Sequence, residues 1–270
     1  MKPHIRTGWE WIKDHVYIWV ILFLYQLLWG FFLYRFIDSI VHPVLKRFPD
    51  PAPSEMSKQL FFLESQFQLT RTSSYTPYLW ALVGFIAFRM IVTPLIHSGL
   101  LYAMANHRTE SSLTFFRGMK IIWKPISLLY VIETVCLLAP AYWAVPYIAK
   151  ILASTAGFSS VLVHTLPVIL PWLVGGWLLH QLFLFLQFGA ASEMSLLQGM
   201  KRGIRRLLPV IGISILFMFI SLVSGLLVTT AAMFFTGMTA LILQQAYPAL
   251  QTLLKMWSLS SRYEVWQHTK

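Results

Sequence analysis

Acidic residues are scarce in this chain, 10 Asp and Glu against 21 Lys and Arg, and cysteine is all but absent. The single Cys136 excludes an internal disulfide and a thiolate metal centre. No HExxH pair for zinc, no GxSxG nucleophile turn and no GxxxxGK[ST] phosphate loop occurs, and no long apolar run holds an aspartate. These gaps point to a chain with no catalytic residues, no cofactor and no metal site. Its uncharged stretches are nearly all long enough to cross a bilayer, which takes roughly 20 residues per helix.

What the chain has in abundance is apolar surface: 57% hydrophobic and 16% aromatic residues, with only 11% charged. That composition excludes an ordinary soluble domain. The apolar runs are continuous rather than alternating, so helices are expected and a barrel is not. The expected fold is all-α, a polytopic transmembrane bundle of six spans at residues 16–36, 78–105, 125–149, 165–190, 207–228 and 237–254. The last two come from one long run and need a turn near 229–236. The whole chain, 1–270, reads as a single integral membrane domain with an outer loop over 37–77. Lys2, Arg6 and Lys13 precede the first span, but its apolar run is too long for a cleavable signal and no small-residue cleavage site follows.

Lys and Arg, counted by loop, set the orientation. One side carries Lys2, Arg6 and Lys13, then Arg108, Arg117, Lys120 and Lys124, then Lys201, Arg202, Arg205 and Arg206, then Lys255, Arg262 and Lys270. The other side has the long loop with Arg35, Lys46, Arg47, Lys58 and Arg71, and otherwise only Lys150. Long loops weigh little in this rule, so both termini are expected in the cytoplasm of a multi-pass cell-membrane protein, with a bacterial plasma membrane as the expected setting. The net charge is then a cytoplasmic collar and not a nucleic-acid surface.

Two stretches are edited copies. Ser112 through Gly118-Met119-Lys120 to Pro125 and Ser195 through Gly199-Met200-Lys201 to Pro209 each lead from one apolar run into the next. At about 100° per residue, Phe115, Phe116, Met119, Ile122 and Trp123 oppose Arg117, Lys120 and Lys124. In the second copy Leu197, Met200, Ile204, Leu207 and Leu208 oppose Lys201, Arg202, Arg205 and Arg206. Each reads as a short amphipathic helix at the cytoplasmic interface. Its cations are candidate contacts for anionic headgroups or for a membrane-protein partner, or else plain topological anchors. The copies define repeat units at about 106–190 and 191–257, and Gly8 to Lys13 suggests a degenerate third over 1–105. All would share one orientation, as parallel hairpin repeats.

Charges inside a span are costly and usually find partners. Arg89 falls near the middle of the second span and Glu133 near the middle of the third, so a pair is feasible; a wet cavity is the alternative. His97-Ser98, His180-Gln181 and Gln244-Gln245 could hydrogen-bond between helices. Pro94, Pro140, Pro146 and Pro171 should kink theirs, and Gly175-Gly176 permits close approach. In the outer loop Ser54 can cap a helix with Met56, Leu60, Leu63 and Phe67 on one face.

The form Ser-Leu-x-x-x-x-Gly-x-Lys at Ser112 to Lys120, approximated at Ser195 to Lys201, resembles stretches in bacterial six-span membrane proteins. Those proteins are related to the membrane domain of glycerophosphodiester phosphodiesterases. The resemblance implies a six-span architecture and transfers no site residue. Function is therefore expected to be that of a noncatalytic membrane scaffold or regulatory partner. A small-solute or lipid-handling permease using Arg89 and Glu133 is the alternative, and an intramembrane enzyme using His97 with Glu133 the third reading. A sealed, dry pair would sink the last two.

Overall fold

The computed structural model describes residues 2–45, 56, 76–106, 113–154, 158–235 and 238–268. Among them every regular element is helical and no strand occurs. In chain order the helices are α1 Lys2–Asp14, α2 Val16–Leu45, α3 Thr76–Ala105, α4 Thr114–Ile121, α5 Trp123–Leu138, α6 Ala141–Ser154, α7 Phe158–Ala191, α8 Leu196–Arg205, α9 Leu207–Phe234 and α10 Met238–Gln267. Five stretches are long and apolar enough to cross a membrane: Val16–Ser39, Thr76–Ala105, Trp123–Ile151, Ser160–Ala191 and Leu207–Phe234. Their side chains face outward for the most part. Leu170, Leu173, Phe219 and Leu226 are all exposed, as an apolar helix surface is when lipid is its solvent.

The sixth expected span differs. Helix α10 runs on to Gln267 instead of ending near Leu254, and its second half is among the best-buried stretches of the chain. Met256, Tyr263 and Trp266 are buried there together with Ser258, Ser260, Ser261 and Glu264. What read as a charged tail is therefore a packed helix. The outer-loop helix expected around Met56 lies, apart from that residue, outside the described residues, as do Arg108 and Ser112.

Two compact units divide the chain, one of residues 1–19 and 93–270, the other of residues 20–92. In the second unit the ring of Phe85 meets those of Trp29, Phe32 and Phe36 at centroid distances of 5.7, 5.9 and 6.0 Å.

In the first unit, short helices fold back along the ends of long ones, and glycine makes the contact each time. A methyl group added at Gly118 in α4 would lie 2.4 Å from Tyr102 Cβ in α3. At Gly199 in α8 it would lie 2.8 Å from Gly189 Cα in α7, and at Gly8 in α1 it would lie 2.7 Å from Ser261 Oγ in α10. Only a residue without a side chain lets backbones come so close. The last contact joins the start of the chain to its end. It is reinforced by Ser260 Oγ donating to the Gly8 carbonyl at 3.1 Å and by Trp257 Nε1 donating to the Ile5 carbonyl at 2.9 Å.

Each short helix then turns into a long one through a single residue: His15, Ile122 or Arg206. Ile122 and Arg206 adopt nearly the same backbone, φ −107°, ψ 10° and φ −113°, ψ 17°. Three residues beyond each stands a proline, Pro125 or Pro209, inside the first helical turn, where a missing N–H costs nothing. In α8 the joint is preceded by an N-cap at the other end, where Ser195 Oγ accepts from the Gln198 N–H. In α8 the side that packs inward is the glycine side, Gly199 and Gly203, and in α4 Gly118 is buried together with Thr114 and Phe115. Leu197, Ile204, Lys201 and Arg205 in α8 are all exposed, as are Phe116, Arg117 and Lys120 in α4.

Candidate functional site

A set of polar side chains on α5, α7, α9 and α10 of the first unit is linked by hydrogen bonds. Glu133 is buried in α5, and both its carboxylate oxygens are taken by α7. His180 Nδ1 donates to Oε1 at 2.5 Å and Gln187 Nε2 to Oε2 at 3.2 Å. Gln181 follows His180 directly on α7 but faces elsewhere, since neighbours on a helix point about 100° apart. The Gln181 Oε1 atom accepts from Ser214 Oγ of α9 at 3.5 Å and from Arg262 Nη1 of α10 at 3.4 Å. Arg262 Nε also donates to the Ser258 carbonyl one turn back, at 3.1 Å. His97 of α3 has a buried Nε2 with no hydrogen-bond partner, and Ser98 beside it donates back to the Leu95 carbonyl.

These groups do not form a sealed core. His180 is about half exposed on its side chain, 46%, while Glu133 behind it is buried. His180, Gln181, Ser214 and Arg262 line a cleft of about 560 Å³ between α7, α9 and α10. The rest of its wall is mixed: Lys255, Ser258, Ser221 and Tyr247 are polar, and Trp177, Phe217, Met218, Leu222 and Leu254 are apolar. His180 thus connects Glu133 to the cleft. Its Nδ1 faces the carboxylate, and no described residue bonds its Nε2.

The cleft is also cationic. Lys255 and Arg262 stand seven residues apart on one face of α10, with Ser258 between them. The carboxylates of this region already have partners, Glu133 at His180 and Glu264 at His268 Nε2, 3.2 Å away. No carboxylate among the described residues lies within ion-pair distance of Arg262. Burial draws its guanidinium pKa down to about 10, so it stays charged at neutral pH but at a cost.

Of the residues singled out in the sequence, Glu133, His180 and Gln181 come together here. Arg89 belongs to the other unit, where it is exposed and its guanidinium lies 5.7 Å from the centre of the Trp29 ring. The histidine bonded to Glu133 is His180; His97 is not. Gln244 and Gln245 are exposed on α10. Among the basic residues of the copied segments, Arg117, Lys120, Lys124, Lys201 and Arg205 are exposed, and Arg206 forms the joint before α9. Arg202 is partly covered, its guanidinium 5.3 Å from the Trp266 ring. Arg262, Lys255 and Ser258 escaped the sequence reading because they fell in an apparent tail. Their spacing on one helical face was the signal available. No group of three metal-ligating side chains occurs among the described residues.

No protein-family model, curated protein or solved structure matches the chain.

Proposed function

We propose that this protein is a noncatalytic, multi-pass membrane protein that binds an amphiphilic ligand in the cleft between α7, α9 and α10. It is built from three parallel hairpin units, with both termini in the cytoplasm. The observation that carries this reading is the His180 bridge. A scaffold has no need for an open, mixed-polarity cleft backed by a buried carboxylate, whereas a ligand-handling protein does. The absence of any catalytic motif in the sequence, together with a His180 ring that no described hydroxyl or amine is bonded to, favours binding over chemistry.

Length supports a position for the cleft. From the level of His180, Ser214 and Ser258 to the far ends of α7, α9 and α10, each helix has roughly 20 residues left. At about 1.5 Å per residue that is about 30 Å, the full hydrocarbon thickness. Those stretches carry no Asp or Glu, and their only Lys or Arg is Lys255, close to the polar level. We therefore place the polar level at the cytoplasmic boundary of the membrane and not at mid-depth. The glycine-packed short helices form a cap beyond it. Their exposed Arg117, Lys120, Lys124, Lys201 and Arg205 are then available to anionic headgroups or to a partner protein.

The test is a photoreactive acyl probe added to the purified full chain, with labelled peptides mapped by mass spectrometry. Ligand binding predicts labelling at 217–222 and 254, lost when Ser221→Trp fills the cleft. Labelling spread evenly over the lipid-facing surface and unchanged by Ser221→Trp would return the protein to the scaffold class.

A further inference from the structure

We infer that the ligand of this cleft is an anionic phospholipid, its phosphate held between Arg262 and Lys255 and its acyl chain laid along Phe217, Met218 and Leu222. The inference rests on the amphiphile-binding reading above and adds the charge and chemistry of the headgroup.

A guanidinium drawn partly out of water is stabilised by a counter-charge, and hydrogen bonds to neutral acceptors replace only part of the lost hydration. Arg262 has two such acceptors, the Ser258 carbonyl and Gln181 Oε1, and no carboxylate. The nearby acids cannot serve, because His180 and Gln187 occupy Glu133 and His268 pairs with Glu264. The cleft therefore holds two cations and no resident anion. Arg262 offers a planar fork suited to paired oxygens, and Lys255 adds a point charge on the same helix face. The remaining donors near them on the wall, the Ser258 hydroxyl of α10 and the His180 ring of α7, approach from two helices. Donors converging from two sides suit a tetrahedral phosphate better than a flat carboxylate. The apolar wall of α9 excludes a purely water-soluble anion as the preferred occupant, and Trp177 gives the cleft the amphipathic ring common at the headgroup level.

The experiment uses the full chain in neutral detergent and native mass spectrometry. Phosphatidylglycerol, phosphatidylcholine and a fatty acid are offered with matched chains, and inorganic phosphate is offered alone. A high-salt wash strips lipid held only by exposed surface cations. One phosphatidylglycerol retained through the wash, not displaced by phosphate, is the expected result. Arg262→Gln should weaken it by roughly tenfold or more and Lys255→Gln by less. If Arg262→Gln does not fold, Lys255→Gln decides, because that exposed side chain makes no hydrogen bond or ion pair to a described residue.

Unchanged affinity in both variants, or equal retention of phosphatidylcholine, overturns the anion assignment while leaving an amphiphile cleft that Ser221→Trp still blocks. Preference for the fatty acid overturns the phosphate, and displacement by inorganic phosphate overturns the lipid. If no lipid of any kind is retained, the underlying reading falls as well.

Discussion

The two Gly-Met-Lys segments solve the same packing problem with different margins. In α4, Gly118 faces Tyr102, a partly exposed side chain at the end of α3, and α4 is a short helix. In α8, Gly199 faces the backbone of Gly189, and four residues on Gly203 faces Phe185, which is wholly buried. The second contact is a Gly-x-x-x-Gly face laid against glycine and backbone, and it is further pinned by Trp266 Nε1 donating to the Gly199 carbonyl at 3.1 Å. Neither contact can be relieved by a side-chain rotation, since Tyr102 Cβ is as fixed to its backbone as Gly189 Cα is. The difference lies in the extra pin: the α7–α8 corner has Gly199, Gly203 and the Trp266 bond, and the α3–α4 corner has Gly118 against Tyr102 and Gly99 against Phe115.

The most direct way to break this comparison is Gly199→Ala. Its new methyl group would lie 2.8 Å from Gly189 Cα and 3.1 Å from the Phe185 carbonyl oxygen, so two helices must separate. We expect a loss of about 3 kcal/mol, at the upper end for overpacking, read as a lowered Tm in detergent. A shift no larger than that of Gly118→Ala would remove the distinction between the corners.

The contrast extends to the polar contacts, for α5 docks on α7 through a buried charge and α9 through a neutral hydroxyl. Glu133→Ala leaves the His180 and Gln187 donors without their acceptor, at a cost of about 2 kcal/mol, moderated because His180 reaches water. Ser214→Ala removes only a long 3.5 Å bond to Gln181 and should cost about 0.5 kcal/mol. Chemical unfolding of both variants measures the gap, and equal losses would show that the carboxylate contributes nothing special. Gly118→Ala is expected to cost about 2 kcal/mol, because its methyl group would lie 2.4 Å from Tyr102 Cβ, which no side-chain rotation moves, while this corner lacks a pin like Trp266 and can part more easily. Gly175→Ala has nothing within 4 Å and should instead stabilise its helix by about 0.5 kcal/mol.

How legible was this in the sequence? The apolar runs located the long helices to within a few residues at most ends, because lipid-facing surface leaves a composition signal that needs no knowledge of packing. The buried position of Glu133 was legible for the same reason. Its partner was not. His180 lies 47 residues away, and nothing in the local pattern selects it over Arg89 or His97. The basic-versus-apolar projection of α4 and α8 did not single out their inward sides: Gly199 and Gly203 are buried in α8, and Gly118 is buried with Thr114 and Phe115 in α4, and such a projection treats glycine as blank. The spacing of Gly199 and Gly203 was visible and carried that information. The second half of α10 misled in a different way. Lys255, Arg262 and Glu264 raise its polarity to that of a solvated tail, while α1 arrives from the other end of the chain to cover Ser260 and Ser261, and α7 and α8 cover Trp266. Closure between the two termini is a tertiary fact that no window along the chain contains.

That closure offers the smallest and most specific test. His4 in α1 lies beside His268 in α10, ring centres 5.7 Å apart, with Glu264 and Arg206 close enough to act on its charge. Burial, aided by nearby positive charge, lowers its pKa below the ordinary imidazole value. Since the folded chain binds this proton less readily than the unfolded one, the α1–α10 contact is unpenalised above about pH 6.5 and weakens as pH falls below it. His4 is only partly covered, so solvent screening limits the effect to about 0.3 kcal/mol. The paired rings of Trp9 and Trp257, 4.8 Å apart across the same contact, give a fluorescence signal for it. Between pH 8 and pH 5.5 the wild type should lose slightly more stability than His4→Gln, which cannot take the proton. The α7–α8 corner, whose glycine contacts contain no titrating group, should show no such difference in Gly199→Ala. An equal acid response in wild type and His4→Gln would mean that the junction of the two ends is held by its glycine and serine contacts alone, and that α1 seals α10 independently of pH.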